Sequence, residues 1–237
     1  MTPANAAEIQ PASGLQAVLF DMDGILVNSE PLWFEAETAV MARLGGTWGE
    51  GDQDELVGGS MAVTVAYLLA KGERTVSPAV VEQWLLQEMG RLLTEGPLPI
   101  MPGALELVLQ VATAGLPYAV VTSSERVIMD AVLDRFGVAF PVTVCAGDVS
   151  ACKPDPEGYL LAAAKLAVDP RRCVVIEDSP NGVAAAEAAG CLAVAVPSVV
   201  AIPAAPGRLV LPSMRGLTLD KLRTEFARLR PDLAPHE

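Results

Sequence analysis

Asp21 and Asp23 stand two residues apart at the end of an apolar run in AVLFDMDGILVNSEP, with Gly24 directly after them. Two acids at that place cost desolvation and mutual repulsion unless something there needs negative charge. In an extended chain, side chains at i and i+2 face the same way, so both carboxylates can serve one site while Met22 points elsewhere. Other polar residues take the corresponding place after later apolar runs. Thr122 and Ser123 follow YAVV, Lys153 follows VTVC and a loop, and Asp178 follows CVVIE. Asp21, Asp23 and Asp178 together make an oxygen-rich cage suited to a hard cation, Mg2+ above all. A metal held there draws in an anionic substrate.

The elements that must position these residues are legible as short β-branched runs alternating with helical patterns. AVLF (17–20), YAVV (118–121), VTVC (142–145), CVVIE (173–177) and LAVAV (192–196) read as buried parallel strands. Residues 103–115, 124–137, 156–167 and 180–190 read as the helices between them, and 216–229 as a last helix outside. Alternation of this kind predicts an α/β fold, a Rossmann-like doubly wound parallel sheet, in which ligands bind beyond the carboxyl ends of the strands. Residues 32–99 break the alternation. They read as helices (32–45, 59–72 and 77–96) with a polar loop after the first, so an all-helical cap is expected as an insertion. The expected division is a loose tail over 1–16, a core of 17–31 and 100–230, and the cap between, with PLPIMPG (97–103) as the hinge back. Trp33 and Trp84 read as core residues of the cap.

Composition narrows the chemistry. The chain has 237 residues, 51% of them hydrophobic, and a formal charge of −13. That acidity disfavours nucleic acid and anionic membranes as partners, and a phosphate compound would need a metal or a few placed cations. No apolar run is long enough to span a bilayer, and the first sixteen residues lack the basic start and apolar core of a signal peptide. Four cysteines without a CxxC pair read as structural thiols of a cytoplasmic protein. The single histidine, His236, sits in a Pro-rich tail, which disfavours His-based catalytic groups and zinc sites. No GxxxxGK[ST] loop occurs.

DMDGILVNSEP, TSS, KPDP and VVIEDSPNGV together resemble the haloacid dehalogenase superfamily of phosphotransferases. The inserted helices resemble its helical-cap subgroup, the branch of β-phosphoglucomutase-like enzymes and sugar-phosphate phosphatases. The resemblance implies that Asp21 is the nucleophile, anionic near neutral pH and needing no base. It implies that Asp23 protonates the leaving oxygen and then activates water. It assigns Mg2+ to Asp21, the backbone carbonyl of Asp23, and Asp178, with Glu177 assisting through water. Thr122 and the amide of Ser123 would bind phosphoryl oxygens, and Lys153 would offset the charge on phosphate and nucleophile. Gly58, Gly59 and Ser60 would form the substrate-facing loop of the cap.

The expected activity is Mg2+-dependent hydrolysis of a small phosphorylated metabolite, a sugar or sugar-alcohol phosphate. A phosphosugar mutase is the first alternative. That branch carries a histidine where this chain has Trp33 and an arginine where it has Met61, and the cap holds four basic residues against ten acidic ones over 32–99. The dehalogenases lack the second aspartate that Asp23 supplies. A non-catalytic metal- or phosphate-binding module is the second alternative. Oligomeric state is not legible.

Overall fold

The computed structural model describes residues 14–56 and 59–233. Six strands form one parallel sheet among them: β1 (Ala17–Phe20), β2 (Tyr118–Val121), β3 (Val142–Val144), β4 (Cys173–Glu177), β5 (Leu192–Ala195) and β6 (Arg208–Val210), in the order β3-β2-β1-β4-β5-β6. Strand order reverses between β1 and β4, the crevice where ligands settle in open α/β sheets. Their register pairs Leu19 with Val175 and Phe20 with Ile176, and the Asp21 amide donates to the Ile176 carbonyl at 3.0 Å. Asp21 therefore leaves the sheet beside Glu177 and Asp178.

The period of two along each strand sends side chains to two cores. Val18 and Phe20 join the face covered by α5 (Ala104–Thr113), α6 (Arg126–Phe136) and α9 (Leu219–Leu229), whereas Ala17 and Leu19 join the face covered by α7 (Glu157–Lys165) and α8 (Pro180–Ala188). Both faces being covered explains why the strands read as continuous apolar runs rather than alternating ones.

Between β1 and α5 lie α1 (Glu30–Arg43), α2 (Glu50–Asp54), α3 (Met61–Lys71) and α4 (Pro78–Glu95). Val40 and Met41 of α1, Val65 and Leu68 of α3, and Val81 and Leu85 of α4 make a core of their own. Each such side chain, once buried, contributes about 1.5–3 kcal/mol. The chain leaves and re-enters the α/β layer at one place. Val27 bridges Ile100, and the Asn28 amide donates to the Pro99 carbonyl at 2.7 Å.

The architecture agrees with the sequence expectation, with three differences. β6 follows residues 197–207, rich in alanine and proline, at a place where no strand was expected; it is three residues long, half-buried and at the sheet edge. The polar loop contains α2, which buries no residue and so shows no apolar stripe. The first cap helix starts at Glu30, with Pro31 in its first turn, a position proline tolerates because the N–H it lacks has no helical partner there. Residues 1–13 of the expected tail and His236 lie outside the described residues, while Gln16 already bonds the Arg172 carbonyl. All four cysteines are free. No helix among the described residues is long and apolar enough to cross a membrane.

Candidate active site

At the carboxyl edge of the sheet, four strands deliver their polar residues to one cleft of about 800 Å³, open mouth included, roofed by α1, α2 and the start of α3. Asp21, Asp23, Thr122, Ser123, Lys153 and Asp178 all line it. Lys153 is the centre of charge. Its Nζ lies 2.5 Å from Asp21 Oδ1, 2.6 Å from Glu177 Oε1 and 2.9 Å from the Val121 carbonyl, and 5.1 Å from the Tyr159 ring centroid. Burial opposes the ammonium, but the carboxylates of Asp21 and Glu177 outweigh it and hold its pKa above the ordinary range.

Glu177 is fully buried, and its carboxylate is saturated by the protein. Oε1 accepts from Lys153 and from the Tyr159 hydroxyl at 2.7 Å; Oε2 accepts from the amides of Asp178 and Ser179 at 3.0 and 3.2 Å and from the Ser179 hydroxyl at 3.2 Å. Only glycine fits at position 182. A Cβ there would stand 1.8 Å from Glu177 Oε1. Gly24 has the same necessity twice over. Its φ is +75°, and a Cβ would stand 2.0 Å from Asp178 Oδ2.

Asp21, Glu177 and Asp178 bring carboxylate oxygens within 4.8 Å of one another, all three buried. Burial, followed by the Glu177 carboxylate, pushes Asp21 well above the usual range although Lys153 opposes it. The same two causes push Asp178 up to about 7, with Ser198, donating at 2.5 Å, pulling the other way. The cluster thus holds more acid than one lysine offsets, and a hard divalent cation fits that deficit and that all-oxygen donor set.

Asp23 is oriented by three hydroxyls. Ser29 donates to its Oδ1 at 2.6 Å; Thr122 and Ser124 donate to its Oδ2 at 3.1 and 2.7 Å, and the Thr122 oxygen in turn accepts from the Ser124 amide. Ser179 doubles as the N-cap of α8, accepting from the Gly182 amide at 3.0 Å, as Ser-Pro at 179–180 implies.

Gly59 and Ser60 line the cap side of the cleft as expected, while Gly58 lies outside the described residues. Trp33 departs from its expected role. It packs on the main core and also lines the cleft, whereas Trp84 stays in the cap core under the Arg43 guanidinium. Ser29, Ser124, Ser198 and Tyr159 were not singled out from the sequence, nor were Glu30, Glu37 and Gln53 of the cap. Ser29 and Ser124 lay within the quoted motifs, and Glu37 carried a readable signal: an acid on the buried face of a helix beside Ala36, Val40 and Met41.

Residues 15–190 match the model of the haloacid dehalogenase-like hydrolases. Hexitol phosphatase B of Escherichia coli (strain K12) is 35% identical over 187 residues, 77% of this chain and 83% of that one. Validoxylamine A 7'-phosphate phosphatase of Streptomyces hygroscopicus subsp. limoneus is 33% identical, over 76% and 84% of the two chains. Among solved structures, a variant of CbbY from Rhodobacter sphaeroides in complex with xylulose-(1,5)bisphosphate superposes with a TM-score of 0.81 at 29% identity, covering 88% of this chain and 99% of that one. The switch-point carboxylates, the lysine between them and these matches agree: the chain belongs to the haloacid dehalogenase-like hydrolases.

Proposed function

We propose that this protein is a divalent-cation-dependent phosphatase, with Mg2+ as the cation, that hydrolyses a small sugar or sugar-alcohol phosphate through a phosphorylated Asp21. The observation that carries the reading is the contact of Lys153 with Asp21 and Glu177 at the point where strand order reverses. Phosphatase relatives whose names specify a hexitol and a validoxylamine phosphate support the substrate class.

In this reading an Asp21 carboxylate oxygen bonds to phosphorus while the bond from phosphorus to the leaving oxygen breaks, and Asp23 gives that oxygen a proton. Asp23, now a carboxylate, then takes a proton from a water whose oxygen attacks phosphorus; inorganic phosphate leaves and Asp21 is restored. Ser29 and Ser124 hold Asp23 for both transfers, and the Thr122 hydroxyl, which donates to Asp23, turns to the phosphoryl group when substrate enters. Thr122 and the Ser123 amide bind phosphoryl oxygens, and Lys153 offsets charge on them and on Asp21. Asp21, the carbonyl of Asp23, and Asp178 would hold the cation, which would supply positive charge against the repulsion between nucleophile and phosphate. Glu177 acts through Lys153, since its oxygens are already filled by protein donors. The cap, with Gly59 and Ser60 at its cleft-facing edge, excludes bulk water. Four free thiols fit a reducing cytoplasm.

Lys153 is the one cationic side chain lining the cleft among the described residues, which favours hydrolysis over a mutase that must hold a second phosphate. The test is release of inorganic phosphate from a panel of sugar, hexitol, glycerol and nucleoside phosphates with Mg2+, wild type beside Asp21→Asn. Release that the variant loses supports the reading. Conversion of β-glucose 1-phosphate to the 6-phosphate without net release points to a mutase; Mg2+ binding with no turnover of any ester points to a binding module.

A further inference from the structure

The cap end of the cleft holds a carboxyl that the chemistry above does not use. α1 carries Glu30, Trp33 and Glu37 at spacings of three and four, which places them on one stripe of the helix, and all three line the cleft. Glu37 is only 3% exposed, and the Trp48 indole N–H lies near its carboxyl without a well-aligned hydrogen bond, so Oε2 is left without a well-made one. Buried acceptors and donors without partners are rare in folded proteins because each forfeits its bonds to water. Around Glu37 the cleft wall is polar or aromatic, with Gln53 tied to Glu30 by bonds of 2.8 and 2.9 Å to its carbonyl and carboxylate, and with buried Thr64.

We propose that Glu37, beside Gln53 and Thr64, forms a subsite that binds hydroxyl groups of the leaving group and admits a neutral polyol carrying a single phosphate. The proposal rests on the phosphatase reading and refines its substrate. Two features argue for an uncharged hydroxylated group over a second phosphate. Glu30 and Glu37 bring no positive charge to the cap end where a second phosphate would sit, and Lys153, the one cation lining the cleft among the described residues, is already engaged at its far end by Asp21 and Glu177. Burial, then the neighbouring Glu30 carboxylate, pushes the Glu37 carboxyl up to about 8. Near neutral pH it therefore holds a proton and can both donate and accept, which matches an alcohol hydroxyl.

A carboxyl that served only to meet the Trp48 indole N–H would act on stability and on every substrate alike. The experiment separates the two roles. Wild type, Glu37→Gln and Glu37→Leu are assayed with Mg2+ on a hexitol 6-phosphate, on the corresponding 1,6-bisphosphate and on p-nitrophenyl phosphate, which has no hydroxyl to bind. Thermal melting checks each fold, and the near-isosteric Gln variant keeps the test open should Leu fail to fold. The subsite predicts that Glu37→Leu loses about 10–100-fold in kcat/KM on the hexitol phosphate, that Glu37→Gln loses less, and that p-nitrophenyl phosphate is little affected. It also predicts that wild type prefers the monophosphate to the bisphosphate. Equal losses on both esters, no loss on the hexitol phosphate, or equal use of the bisphosphate would overturn the subsite while leaving the phosphatase reading intact. Absence of phosphate release from every ester by folded wild type overturns the phosphatase reading itself, and the subsite with it.

Discussion

Ser29 donates to Oδ1 of Asp23 at 2.6 Å, from the residue that precedes the first cap helix. The proposed acid is thereby tied to the place where the cap begins, and Ser124 holds its other oxygen from the loop after β2. Hydrogen bonds to a charged group contribute about 1.5–3 kcal/mol each. Ser29→Ala and Ser124→Ala should each lower kcat by about tenfold or more, with melting temperatures lowered by only several degrees, about what one lost hydrogen bond costs. Steady-state kinetics beside a thermal melt checks this; unchanged kcat in both variants would remove the hydroxyls from the mechanism.

Lys153 is enclosed with two carboxylates, its side chain 8% exposed. Lys153→Met leaves Asp21 and Glu177 buried with no cation between them, a situation that costs about 3–5 kcal/mol. Denaturant unfolding should show that loss, and turnover should vanish. Added Mg2+ should recover part of the stability but none of the activity.

Asp178 and Asp21 both have their folded pKa raised, Asp178 to about 7 from an ordinary value near 3.8. Between those values the folded chain binds more protons than the unfolded one, so stability falls as pH rises from about 4 to about 7. Glu37, raised to about 8, adds to the fall. Melting curves in EDTA at a series of pH values should trace this decline, and Mg2+ should flatten it by neutralising the carboxylates. EDTA should also abolish turnover and Mg2+ restore it. A metal-free protein more stable at pH 8 than at pH 5 would contradict the cluster's electrostatics.

Gly182 lies in the first turn of α8, where alanine would ordinarily be preferred by about 1 kcal/mol. Here the Cβ would overlap the Glu177 carboxylate. Gly182→Ala should therefore destabilise the protein and, by displacing Glu177 from Lys153, depress kcat. A raised melting temperature would show that the pocket around Glu177 can yield.

The strands that lead to Asp21, Thr122, Lys153 and Asp178 were legible because burial on both faces leaves unbroken β-branched runs, each followed by a polar residue, directly or, for Lys153, after a loop. The partners of those residues were not. Ser124 meets Asp23 across 101 positions of sequence, and Ser198 reaches Asp178 from an exposed turn, so no local periodicity marks either. β6 escaped notice because an edge strand of three half-buried residues carries no burial pattern. Glu37 was visible as an acid on an apolar helix face, but only the fold shows that the face borders the cleft.

The bond between Asn28 and Pro99, with the Val27–Ile100 bridge beside it, has a consequence for lineage rather than for chemistry. The chain from Ser29 to Leu98 enters and leaves the α/β layer at two points that touch, and Met89, Leu92 and Leu93 of α4 pack on the main core beside α6. Closing so wide a loop adds little entropic penalty once its ends are held together, and lengthening or shortening it changes that penalty slowly. A substitute whose ends meet at the same spacing, and which covers the apolar surface that α4 covers, would leave the register of every strand undisturbed. From the residue after Ser29 onward, the roof of the cleft would thus be exchangeable as a cassette while Ser29 and the sheet keep the reacting groups in place.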